Sequence, residues 1–116
     1  MTAAAINRLD EMDDDRRSLI LDFTADARDS LRRIEELIDK SGSSLSGSGD
    51  ALRAGNELRS VKSISMFLGL TEVSTISGSM EKTFKEISAG VRSADKENLE
   101  ECRTGILRIE QILRRY

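Results

Sequence analysis

An all-α fold, an antiparallel up-down-up-down four-helix bundle, is what this sequence predicts, and three observations carry the prediction. Apolar residues recur at spacings of three and four through most of the chain. No segment sustains the period-two alternation of a half-buried strand. The 116 residues include no proline and no tryptophan, and only four aromatic side chains, Phe23, Phe67, Phe84 and Tyr116. That leaves the core to Leu, Ile, Val, Met and Ala, as in helical bundles. The length suits a single domain over 1–116, since domains average roughly 100–150 residues. No fixed-period repeat suggests a solenoid.

The first long helix is expected over 14–40. Asp13, Asp14 and Asp15 precede it, where carboxylates favour the unpaired amides of a helix N-terminus. Ile20, Phe23, Ala27, Leu31, Ile34 and Ile38 form its apolar stripe. Upstream, 1–12 reads as an N-terminal extension, with a short extra helix over 2–12 carrying Ile6 and Leu9 on one face. The Ser/Gly-rich segment 41–49 reads as a flexible loop within the domain, because neither flank buries its stripe alone.

Asp50 is the expected N-cap of a second helix over 51–68, striped by Ala51, Ala54, Leu58, Val61, Ile64 and Leu68. Gly69 falls where a residue of positive φ ends a helix. Thr71 then caps a third helix over 72–91, striped by Val73, Ile76, Met80, Phe84, Ile87 and Val91. Ser93 or Asp95 starts a fourth over 95–115, with Leu99, Cys102, Ile106, Ile109 and Leu113 inward.

Composition excludes several chemistries. With no histidine there is no imidazole acid or base, no Ser-His or Cys-His nucleophile, and no His-containing metal site. Cys102 is the lone cysteine, so neither an internal disulfide nor a Cys-rich zinc site can form. The longest purely apolar run is 3–6, too short to span a membrane, and no secretory signal is read, so a cytoplasmic location is expected. A net charge of −3 supplies no electrostatic reason to bind nucleic acid. Neither an enzyme nor a cofactor is expected, and the chain reads as a monomer or weak dimer.

The second helix carries the functional interest. If its stripe faces the core, Leu52, Gly55, Asn56, Arg59, Lys62, Ser63 and Met66 face outward, mixing small residues, cations and bare hydrophobes. On the third helix Ser74, Gly78, Glu81 and Lys85 border the core and flank that strip, with small residues that let another backbone approach. The bland alternative is a solvated helix face with stray apolar residues.

The segment Arg59-Ser-Val-Lys62-Ser63-Ile-Ser-Met-Phe67-Leu68-Gly69-Leu70 resembles the signature of histidine-phosphotransfer (HPt) domains, His-x-Leu-Lys-Gly-(small)-(small)-x-x-Leu-Gly-Leu. Met80 and Glu81 match the Leu-Glu pair of the family's third helix, and the long first helix with Phe23 is similar as well. The likeness covers about residues 18–115 and is strongest to the N-terminal phosphotransfer domain of CheA-type chemotaxis kinases.

The resemblance implies a two-component phosphorelay module whose partner is a response-regulator receiver domain or a histidine kinase. Three departures qualify it. The phosphoacceptor histidine falls on Arg59, its glycine neighbour on Ser63, and a large apolar residue one turn earlier on Gly55. A guanidinium, with a pKa above ~12, stays protonated and cannot accept an aspartyl phosphate. The implied function is therefore a docking module that does not relay phosphate; the alternative is a structural or oligomerisation bundle with a vestigial docking face. By the resemblance Lys62 orients phosphate near the acceptor position, against the simpler reading of a solvated lysine. Glu81 is expected to pair with Arg59, an exposed pair contributing ~0–1 kcal/mol, against two separately solvated charges. Met66 is the hydrophobe expected to stand exposed for a partner.

Other features read as structural. The aspartate run lacks the alternating ligands and central glycine of a calcium loop. Arg32, Arg33, Arg114 and Arg115 read as solvated faces, and Cys102 as a buried small hydrophobe.

Overall fold

The computed structural model describes residues 3–45 and 49–116, with side chains from residue 14 onward. In chain order it comprises α1 (Ala3–Ser41), a 3-10 turn (Gly42–Leu45), α2 (Gly49–Phe67), α3 (Thr71–Ser88) and α4 (Lys96–Leu113). These helices form the expected antiparallel four-helix bundle, and the described residues include no strand. At 1.5 Å per residue, the 39 residues of α1 rise ~58 Å. That rise accounts for the 59 Å long axis, while the 20 × 20 Å cross-section is that of four packed helices.

The first correction concerns α1. The separate helix expected over 2–12 is continuous with the helix expected over 14–40, so the three aspartates lie inside one helix rather than at its start. No glycine or proline interrupts the segment, and Asp14 and Asp15 are exposed, where carboxylates stay hydrated without breaking the backbone ladder. Residue 2 and the side chains of Ile6 and Leu9 lie outside the described residues. Further along, Arg16 ties α1 to the end of α2: its Nε and Nη2 donate to the Leu68 carbonyl at 3.2 and 3.1 Å. A cation there meets the unpaired carbonyls of a helix C-terminus.

One buried cluster holds the bundle together, built from all four helices and closed by Leu45, Leu68, Leu70 and Ala94. Leu45 is fully buried on the 3-10 turn, so 42–45 is ordered structure rather than flexible loop; 46–48 lie outside the described residues. In α2 the inward row is Ala51, Ala54, Leu58, Val61 and Ser65, continued by Leu68. Spacings of three and four alternate strictly along it, which keeps the row on one face (coiled-coil style). Ile64, expected inward, breaks that alternation and is 46% exposed; Ser65 takes the core position, its Oγ donating to the Lys62 carbonyl at 2.9 Å. The same phase in α3 buries Val73, Ser77, Met80, Phe84 and Ile87, and leaves Ile76 only half-buried.

The helix ends follow backbone chemistry. Gly69 has φ +76°, its N–H donates to Met66 O at 3.1 Å, and the Leu70 N–H donates to Ser65 O at 2.8 Å. That pair of bonds satisfies two carbonyls that the helix leaves open. Gly90, at φ +77°, repeats the arrangement, with Gly90 N–H on Ile87 O and Val91 N–H on Glu86 O. Helix α3 therefore stops at Ser88, and Val91 lies exposed beyond it rather than in the stripe. Asp95 caps α4 as expected, accepting from the Asn98 N–H at 2.9 Å. Asp50 and Thr71 do not cap. Asp50 sits in the first turn of α2, 3.6 Å from Arg53, and Thr71 is the first residue of α3, whose cap position is Leu70.

Candidate functional site

The inward phase of α2 turns Leu52, Asn56, Arg59, Ser63 and Met66 toward solvent, with Lys62 half-buried at the edge. Leu52 is 47% and Met66 61% exposed, as expected of a strip that offers apolar contact. Phe67, which sequence reasoning left out of the strip, is 83% exposed and extends it at the C-terminal end of α2. Its place was readable from the helical phase, four residues beyond Ser63 and two residues short of the capping glycine.

Gly55 is a correction: it is buried and faces α3, not solvent. A Cβ at Gly55 would lie 3.3 Å from Lys85 Cγ, 3.7 Å from Glu81 O and 3.8 Å from Phe84 Cβ. Gly78 on α3 is its counterpart, since a Cβ there would meet Lys62 Cδ at 3.4 Å. Each glycine thus makes room for the aliphatic stem of a lysine on the opposite helix, the stems covering apolar surface while the charged ends reach out.

Both ammonium groups converge on Glu81. Lys85 Nζ lies 2.6 Å from Oε2 and Lys62 Nζ 3.7 Å from Oε1, and the glutamate is only 8% exposed. The hydrogen bond from Lys85 holds the Glu81 carboxyl below the ordinary glutamate range. Burial pulls the other way, and the charges of Lys85, Lys62 and Arg59 add to the lowering. Arg59 makes no ion pair among the described residues, and Glu81 pairs with Lys62 and Lys85 instead of the expected Arg59. Lys85 is the i+4 neighbour of Glu81 on the same helix, and Lys62 stands on the side of α2 turned to α3. Arg59 is exposed and contributes only its charge to the field at Glu81, without an ion pair among the described residues.

Beside this junction Lys62, Gly78, Glu81, Lys82, Lys85 and Val91 line an open groove of about 470 Å³. A second groove of about 530 Å³ runs between α1 and α2, where Arg33 Nε meets Glu57 Oε1 at 2.7 Å. Arg32 and Arg114 share a small cleft with Glu35 and Glu110. Among the described residues, no group of acidic, Cys or His side chains is placed to hold a metal ion. None of the described helices is long and apolar enough to cross a membrane.

The thiol is sequestered. Cys102 is buried in the core, and burial pushes its thiol up to about 11. Among the described residues Ser77 Oγ is buried without a hydrogen-bond partner. What the face can do is bind: a guanidinium offers five donors in a planar fork suited to carboxylates. No protein-family model, curated protein or solved structure matches this chain.

Proposed function

We propose that the chain is an HPt-like module of two-component signalling that docks a response-regulator receiver domain without relaying phosphate. The observation that carries the reading is Arg59. By the resemblance it stands at the motif position of the phosphoacceptor, in the middle of an exposed strip with Leu52, Ser63, Met66 and Phe67, and it has no ion-pair partner among the described residues. By the resemblance, a receiver presents an acidic, magnesium-binding pocket to this position. Arg59 would place a fixed positive charge in that pocket, favouring the unphosphorylated receiver and competing with magnesium. Charge-assisted hydrogen bonds of this kind contribute ~1.5–3 kcal/mol when partly desolvated. Ser63, where the family has glycine, adds atoms to the contact and opposes it.

A second reading, a structural or oligomerisation bundle with a vestigial docking face, is favoured by one observation: Gly55, Gly78 and Lys62 serve the packing of α2 on α3. NMR titration with receiver domains separates the two. Localised shifts at Leu52, Arg59, Lys62, Ser63 and Met66 support docking, and their absence with every receiver supports the structural reading. In the docking case Arg59→Glu weakens binding at least tenfold, ~1.4 kcal/mol, and magnesium weakens the parental complex. No acid-labile phosphate forms on the chain with a phosphodonor; its detection would overturn the proposal.

A further inference from the structure

We infer that the groove between α1 and α4 binds an acidic amphipathic helix of another protein. In the bundle α1 adjoins α2 and α4, and α3 closes the ring between those two. The groove therefore lies on the side away from the α2–α3 junction, and the inference does not rest on the receiver-docking reading.

Arginines collect along this groove. On α1, Arg17, Leu21, Arg28 and Arg32 follow one another at spacings of four, seven and four, which is a single stripe of a helix. On α4, Arg103, Leu107, Glu110 and Arg114 are spaced by four, three and four. Two observations turn these stripes toward each other. Arg103 pairs with Asp39 of α1, and Arg28, Arg32 and Arg114 line one cleft of about 260 Å³. A second cleft of about 490 Å³ follows at the end of the bundle, where Arg17 and Arg115 adjoin Ile20 and Tyr116. Among the described residues, Arg17, Arg28, Arg32, Arg114 and Arg115 are exposed and make no ion pair. The carboxylates within this stretch are Glu35 and Glu110 in the first cleft and Asp14 one turn before Arg17. Positive charge is thus in local excess on a chain whose net charge is −3, and guanidinium forks suit carboxylates.

Apolar anchors flank the charge. Leu21 is 48% and Leu107 54% exposed, one on each stripe. Because α1 and α4 are antiparallel and Arg103 meets Asp39, Leu107 stands level with about residue 35 of α1. At about 1.5 Å per residue the two leucines are ~21 Å apart along the groove, the length of two heptads of helix. A ligand helix of that length lays apolar side chains on Leu21 and Leu107. Its carboxylates then meet the arginines between them, in the manner of helix-in-groove recognition.

Shape and charge select a helix over broader anions. Asp22, Asp26 and Asp29 are exposed on α1, about a third of a turn round from the arginine stripe, and none of them makes an ion pair among the described residues. A helix ~10 Å across seats between α1 and α4 without reaching these aspartates. An anionic bilayer or a nucleic-acid duplex is wider than the groove, rests on its rims, and brings negative charge against them.

NMR titration of the full chain tests the inference, the probe being a capped helical peptide of glutamate, alanine and leucine with its leucines seven residues apart. Shifts gather at Leu21, Arg28, Arg32, Leu107 and Arg114, and binding weakens as salt is added. Arg32→Glu and Arg114→Glu each weaken it at least tenfold, ~1.4 kcal/mol, with circular dichroism confirming that each variant stays helical. Leu107→Ser weakens binding while leaving its salt dependence in place. Absence of binding at millimolar peptide would overturn the inference, as would shifts confined to α2 and α3, or charge reversals without effect. Capture of the chain by phosphatidylserine vesicles or duplex DNA in preference to the peptide would overturn it as well.

Discussion

Gly105→Ala sets two opposing effects of known size against each other. The site is interior to α4, where alanine is favoured over glycine by about 1 kcal/mol because it restricts the unfolded chain and propagates the helix. Against this, a Cβ at Gly105 lies 2.6 Å from Met80 Sδ, 3.1 Å from Met80 Cγ and 3.4 Å from Ile76 Cγ2. Met80 is buried, so its thioether must rotate into space already filled by neighbours, and overpacking of this kind costs about 1–3 kcal/mol. The packing loss exceeds the propensity gain, and the variant is less stable by about 1 kcal/mol, a fall in Tm of about 4 °C for a domain this size. Thermal unfolding followed at 222 nm reads this directly. The double-mutant cycle sharpens it: Met80→Ala removes the obstructing atoms, so in that background Gly105→Ala changes sign and stabilises. A single Gly105→Ala that raises Tm, or a cycle with no coupling, would refute the close approach of α3 and α4 at this point. Gly55→Ala is the milder case, because its tightest Cβ contact is the stem of Lys85 at 3.3 Å, with Glu81 O and Phe84 Cβ at ordinary van der Waals distances.

Three further outcomes follow from the core and the Glu81 junction. Phe84→Ala, at a fully buried ring, costs about 3–5 kcal/mol in chemical denaturation, and a parental midpoint would mean that α3 is rotated. The hydrogen bond from Lys85 holds Glu81 below the ordinary glutamate range, so the folded state binds its proton less readily than the unfolded state does. Its contribution to stability is fully present above that range and is lost as pH falls below it; urea midpoints measured against pH show a shallower acid limb for Glu81→Gln. Cys102, with its thiol at about 11, stays unmodified by iodoacetamide at mildly alkaline pH while folded and reacts once denatured. Rapid labelling of the native protein would contradict the buried position.

The bundle was legible because burial and helical periodicity are both carried by local spacing. Every residue expected in the stripes of α1 and α4 is buried: Ile20 to Ile38 and Leu99 to Leu113 are spaced by threes and fours with apolar side chains at every step. Gly69 and Asp95 were legible for an equally local reason, since the positive φ of one and the carboxylate of the other act on backbone groups within a few residues. Reading failed where side-chain type and helical phase disagreed. Ile64 and Ile76 attract the eye as core residues, but Ser65 and Ser77 hold the phase and are the ones buried. A strict three-four count would have found them.

The candidate site divides along the same line. By itself the sequence determined that no imidazole is present and that Leu52, Arg59 and Met66 share the outward face of a helix; these are matters of composition and of spacing along one element. Only the tertiary structure decided what lies across from that element. Gly55 and Gly78 admit the stems of Lys85 and Lys62, both ammonium groups then close on Glu81, and Arg59 makes no ion pair among the described residues. Charge pairing between helices depends on their distance and relative level to within an ångström or two. No count along a single helix contains that information, because it is set by how closely two backbones approach in the packed core.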